Sequence, residues 1–185
     1  MIRKTLVGCL VALMPSLATA QPAPASPSRA SVAVLEMVAN IEKAITGAAE
    51  EMPAEKYAFV PSEGNFRGVR TFAQQIKHAA AVQHLVAATI LGERVTADMS
   101  DERGPDSVRT KAEVLQYLKD SFAALKRAVA TIDDTNAFEP FKGPFRSAPQ
   151  TRLGVVAAAV SHSWNHYGQV VPYLRMNGFV PPRTP

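Results

Sequence analysis

The sequence predicts an all-α protein, a four-helix bundle, and three observations carry that prediction. Four segments show helical apolar spacing, two of them open with a capping box, and no stretch alternates with period two as a half-buried strand would. With 185 residues, 47% of them hydrophobic, the chain suits one domain built on one core.

Residues 1–20 read as a secretory signal. Arg3 and Lys4 supply the positive start, Thr5 to Leu17 the apolar run, and Ala18-Thr19-Ala20 a small-residue cleavage site. The run is shorter than the ~20 residues a membrane span needs, and Pro15 interrupts it. Cys9 precedes most of the apolar run, which argues against lipidation. The expected location is therefore outside the cytoplasm, in a bacterial periplasm, with no membrane attachment after cleavage.

Cleavage after Ala20 removes two of the 20 basic residues and none of the 16 acidic ones, so the net charge falls from +4 to +2. No basic cluster is left to form a nucleic-acid footprint. The single cysteine leaves with the signal, which excludes disulfides, cysteine-ligated zinc and thiol nucleophiles.

Residues 21–30 form a linker rich in proline and small residues, and the bundle is expected over 31–185. Val34, Val38, Ile41 and Ile45 place one apolar stripe on a first helix that ends near Gly47. Glu50 to Gly68 has no sustained period and reads as a long connection. A second helix runs from Thr71, boxed with Gln74, to Leu91, where Gly92 stops it.

After a polar connection, Thr110 and Glu113 open the third helix, with Leu115, Leu118, Phe122, Leu125, Val129 and Ile132 along its seam. Asn136 to Pro149 carries Gly143 and three phenylalanines, a loop expected to be held down by aromatic burial. The fourth helix spans Thr151 to Asn177, with a kink expected at Pro172.

His162 and His166 stand four residues apart on that helix, so one face presents both and they can share a metal ion. The same spacing also suits two histidines hydrogen-bonded in a core or exposed at a bundle end. Leu153, Val156, Val160, Trp164, Tyr167, Val171 and Leu174 make a bulky stripe elsewhere on the helix; the histidines share their face with Val155, Ala158, Ala159, Gln169 and Tyr173, which resembles a cavity lining.

His78 on the second helix is expected to point inward beside Gln74, Val82 and Leu85. His84 lies about 240° further round and is assigned to surface or packing. Neither helix holds an Asp or Glu, which disfavours a two-histidine, one-carboxylate iron site; three imidazoles suit zinc or nickel. His162-Ser163-Trp164-Asn165-His166 also lacks the glutamate of H-E-x-x-H proteases.

Arg70-Thr71 leading to His78, then His162-Ser163-Trp164-Asn165-His166-Tyr167-Gly168-Gln169, Tyr173-Leu174-Arg175, Gly178 and Pro181-Pro182, resemble the DinB-like superfamily, nearly the whole mature chain being covered. That resemblance implies a four-helix bundle of the DinB/YfiT-like type with His78, His162 and His166 as ligands of a divalent metal, zinc or nickel. Enzymes of the superfamily with known roles use abundant cytosolic thiols, from which an export signal would separate this chain.

Three functions remain open from the sequence: metal-assisted hydrolysis or transfer on a small molecule, non-catalytic metal or ligand binding in the envelope, and a structural bundle without metal. Gln169, Tyr173 and Gln74 are candidates for orienting the ligands or a bound water, and Glu63 is one of several carboxylates in reach of the site from a loop. A homodimer is compatible with the pattern, although no exposed apolar stripe marks its interface.

Overall fold

The computed structural model describes residues 28–145 and 150–182; the signal segment, and the linker up to Pro27, lie outside the described residues. Four helices dominate: α1 (Arg29–Glu51), α2 (Phe72–Leu91), α3 (Lys111–Val129) and α4 (Arg152–Met176). Their starts follow the caps in the sequence. Ser28 caps α1, Thr151 caps α4, and both capping boxes form, each satisfying amide groups that a helix terminus leaves without partners.

Contacts run α1 to α4, α4 to α2, α2 to α3 and α3 to α1, which places α2 and α4 side by side. Ile41 and Ile45 of α1, Phe72 and Ile76 of α2, Leu118, Phe122 and Leu125 of α3 and Leu174 of α4 fill the centre. Long connections between the helices permit this order, since none of the three turns is a tight hairpin. Among the described residues, no helix is long and apolar enough to cross a membrane.

Several boundaries differ from the sequence expectation. α1 continues past Gly47 to Glu51, with Ala48 and Ala49 fully buried. Gly47 is needed for close approach rather than for termination: a Cβ there would lie 3.1 Å from Pro182 Cγ. α3 ends at Val129, and the buried Ile132 follows in a turn.

The loop after α3 contains a two-residue antiparallel ribbon, β1 (Pro140–Phe141) with β2 (Gln150–Thr151). Its aromatic anchoring is partial, because Phe138 is 70% exposed whereas Phe141 and Phe145 pack against the core. α4 passes through Pro172 without ending and stops at Asn177-Gly178, where Gly178 takes a φ of 84°.

The connection from α2 to α3 is fastened to α2. Lys77, buried, donates from Nζ to the Pro105 carbonyl at 2.8 Å and to that of Val108 at 3.1 Å. Gly104 sits so close to Lys77 that any Cβ would overlap its Cβ and main chain. Just before it, Ser100, Asp101 and Glu102 have φ of 29°, 51° and 62°, a left-handed turn made entirely of non-glycine residues.

Candidate metal centre

The three histidines converge because two rules act together. Residues four apart on α4 overlay, which aligns His162 with His166, and the α2–α4 contact brings His78 to the same point. Nε2 of His162 lies 3.1 Å from Nε2 of His78 and 3.1 Å from Nε2 of His166. One ligand atom from each ring lies within 4.8 Å of the others. His78 and His166 are buried and His162 is half-buried.

The two 3.1 Å spacings are those of neighbouring ligands on a shared ion. Imidazole nitrogens at roughly 2.05 Å from a tetrahedral zinc would be about 3.3 Å from one another. Tautomers point the same way. His166 Nδ1 donates to Gln75 Oε1 at 2.6 Å, so in the neutral ring His166 Nε2 carries only a lone pair. His162 Nε2, whether protonated or not, can make a straight hydrogen bond to at most one of its two neighbours.

A cation would relieve the remaining contact, and protons are poorly suited to supply it. Burial, reinforced by the Arg70 charge and neighbouring histidines, lowers His78 to about 4 and His166 to about 3; burial and Arg70 lower His162 as well. The rings are neutral at ordinary pH, the form that binds metal. Among the described residues Nδ1 of His162 is buried without a hydrogen-bond partner, while the His78 ring is turned to the main chain of Glu102.

A chain of amides supports His166. Gln75 Nε2 donates to Gln169 Oε1 at 2.8 Å, and Gln169 Nε2 donates to Asn165 Oδ1 at 2.7 Å. Gln75 was absent from the sequence reading, which proposed Gln74 instead. Gln74 is occupied elsewhere, its Oε1 accepting from the Thr71 amide in the capping box at 2.9 Å. Spacing alone does not separate the two, since Gln74 and Gln75 precede His78 by four and three residues; the available signal was the capping box, which commits Gln74 to Thr71.

The other expected residues divide. Gln169 belongs to the amide chain. Tyr173 is buried but donates its hydroxyl to the Arg70 carbonyl at 3.1 Å and packs edge-on against Phe59, with no hydrogen bond to a histidine. Glu63 is exposed in its loop; the carboxylate beside the centre is Glu102, ion-paired to Arg70 at 2.7 Å.

His84 stands apart, its ring tilted against Tyr117 at 4.9 Å. On α4 the buried arc is wider than one stripe: Val155, Ala159 and Val170 are buried with Val156, Val160 and Leu174, whereas Ala158, expected beside the histidines, is exposed.

A second polar network seats the helices around the centre. Gln83 of α2, fully buried, donates from Nε2 to Ser163 Oγ of α4 at 3.0 Å and accepts from Ser121 Oγ of α3 at 3.0 Å. Ser163 is adjacent to His162, so this bond fixes the register in which α4 meets α2.

Fold and site together define a four-helix bundle carrying a three-histidine cluster compatible with a divalent metal. The family model of the DinB superfamily matches residues 39–170, and the chain belongs to that superfamily. The fold is shared with solved structures at low identity. A DinB-like protein from Bacillus cereus aligns with TM-score 0.62 and 13% identity over 81% of this chain and 94% of that one. A conserved protein from Enterococcus faecalis aligns with TM-score 0.60 and 15% identity over 80% and 96% respectively. The comparison with curated proteins gives no match.

Proposed function

We propose that this chain is an exported metalloenzyme in which His78, His162 and His166 hold one divalent ion, zinc or nickel, for hydrolysis or group transfer on a small molecule. The Nε2 spacing carries the proposal: two contacts of 3.1 Å between rings that burial keeps neutral call for a shared cation. An ion held there would supply Lewis acidity toward a carbonyl or water.

The chain's own groups set the conditions for that chemistry. Gln75 fixes the tautomer and orientation of His166. Among the described residues no Asp or Glu joins the ligand cluster, so three neutral imidazoles leave an ion's charge uncompensated and favour anionic or strongly polar oxygen ligands. Glu102 is neutralised by Arg70, which holds it as part of the wall rather than as a free base.

The competing reading is a non-catalytic metal binder of the cell envelope. Two observations favour the enzyme: His162 is only half-buried, and Gln75 and Gln169, which support His166, also line an open cavity of about 320 Å³.

Elemental analysis of the mature protein, purified without an affinity tag beside a His162→Ala/His166→Ala variant, tests the centre. About one equivalent of metal, lost in the variant, is expected; no metal after reconstitution with zinc or nickel overturns the proposal. Substrate screening with the loaded protein then separates enzyme from binder.

A further inference from the structure

Gln75 orients His166 through its Nδ1; for His78 the corresponding group comes from the connection between α2 and α3. The His78 ring is turned to the main chain of Glu102, and that main chain favours a proton on the ring, the effect of a carbonyl acceptor. Nε2 of His78 faces His162 at 3.1 Å, which leaves Nδ1 for the carbonyl. Nδ1 has no other partner among the described residues.

Glu102 reaches this position through a turn that its own side chains oppose. Ser100, Asp101 and Glu102 are all left-handed without a glycine among them, a conformation that persists only where its surroundings hold it. Asp98 Oδ1 accepts from the Ser100 amide at 2.9 Å, the Arg103 amide donates to the Ser100 carbonyl at 2.9 Å, and Lys77 fastens the chain just beyond at Pro105 and Val108.

Arg70 completes the support from the residue before the α2 cap. It donates from Nε to the Glu102 carbonyl at 2.6 Å and from Nη2 to the Glu102 carboxylate at 2.7 Å. Its own carbonyl accepts from the Tyr173 hydroxyl of α4 at 3.1 Å, which ties the arrangement to the second histidine helix. A carbonyl oxygen has two lone pairs, so that of Glu102 can take both Arg70 and His78.

Charge gives no reason for an arginine here. The guanidinium disfavours positive charge on all three histidines, so as a point charge it opposes a bound cation, whereas the Glu102 carboxylate favours positive charge on His78 and His162. What arginine adds is its fork, two donors in fixed geometry that grip the carbonyl and the carboxylate of one residue.

We propose that Arg70 and the main-chain carbonyl of Glu102 are positioning groups for His78: the carbonyl accepts from Nδ1–H and leaves the Nε2 lone pair facing His162 and His166, and the Arg70 fork holds the turn in the orientation this needs. His78 and His166 then present the same tautomer from two helices. The assignment rests on the metal reading above for its purpose, although the tautomer exists with or without an ion.

Proton–nitrogen correlation spectra of the histidine rings, assigned with a His78→Gln variant, read the tautomer in protein as isolated and after chelation, with metal content measured on each sample. His78 is expected as predominantly Nδ1–H in both. Zinc affinity is measured beside it by competition with a chromophoric chelator, on variants whose melting curves show them folded. Arg70→Gln should lower that affinity about tenfold, as loss of support for a ligand does, whereas removal of its charge alone would raise it. Glu102→Gln keeps the main-chain carbonyl and should have a clearly smaller effect than Arg70→Gln.

His78 without a predominant Nδ1–H form overturns the assignment, and this wild-type measurement decides it even where a variant does not fold. So does a folded Arg70→Gln protein with unchanged or higher zinc affinity, or a Glu102→Gln protein as weak as Arg70→Gln. The two proposals fail separately: protein that takes up no zinc or nickel yet shows the Nδ1–H form sinks the metal reading alone, and metal-loaded protein with His78 bound through Nδ1 sinks this assignment alone.

Discussion

Nδ1 of His166 donates to Oε1 of Gln75 across 2.6 Å, from the fourth helix to the second. The bond joins the two helices that carry the histidines and decides which nitrogen of His166 is left to bind. Gln75→Leu is therefore expected to lower zinc affinity by about 10- to 100-fold, read by competition with a chromophoric chelator.

Its neighbour gives the contrasting result. Gln74→Leu removes the side-chain acceptor for the Thr71 amide in the capping box. Stability should fall by about 1 kcal/mol in denaturant unfolding, with zinc affinity unchanged.

The metal-free protein should lose stability as the solution is acidified. His78 and His166 titrate near 4 and 3 when folded, against an ordinary value of 6.5. Below about 6.5 the unfolded chain takes up protons that the folded cluster refuses, so stability falls from there toward pH 4 and is undiminished above that window. Melting temperatures recorded between pH 8 and 4 should show this slope, and a His78→Ala/His166→Ala variant should flatten it.

Gly104→Ala should destabilise the connection between α2 and α3. The residue has φ of 73°, and a Cβ would lie 2.6 Å from Lys77 Cβ and 2.8 Å from its carbonyl carbon. Backbone and side chain both resist, with an expected loss of roughly 1–3 kcal/mol in chemical unfolding. An unchanged midpoint would show that the Lys77 clasp is loose.

Gln83→Leu breaks the buried link from Ser163 to Ser121. Two hydroxyls lose a partner in the core, which costs roughly 1–3 kcal/mol. Because Ser163 adjoins His162, zinc affinity should fall as well; a loss of stability without any loss of affinity would show that the register of α4 does not depend on this bond.

Local physics fixed much of the design in advance. Thr71-Gln74 and Thr110-Glu113 determine two helix starts through hydrogen bonds that span four residues, and the four-residue spacing of His162 and His166 determines that they share a face. The fold class follows from the same short-range periodicities.

What depended on packing between distant segments was decided only by the tertiary structure. α1 continues through Gly47, whose missing Cβ leaves room for Pro182, far along the chain, to pack against it. Gln75 rather than Gln74 supports His166, and Glu102 rather than Glu63 stands beside the centre. Helical periodicity repeats every few residues and is written in each segment, whereas the choice of neighbour among four amphipathic helices depends on the shape of the whole core and on where long connections are fastened. Lys77, holding the Pro105 and Val108 carbonyls, is one such fastening: its sequence position told only that a cation lay next to His78, and the fold made it the clasp of the wall beside the histidines.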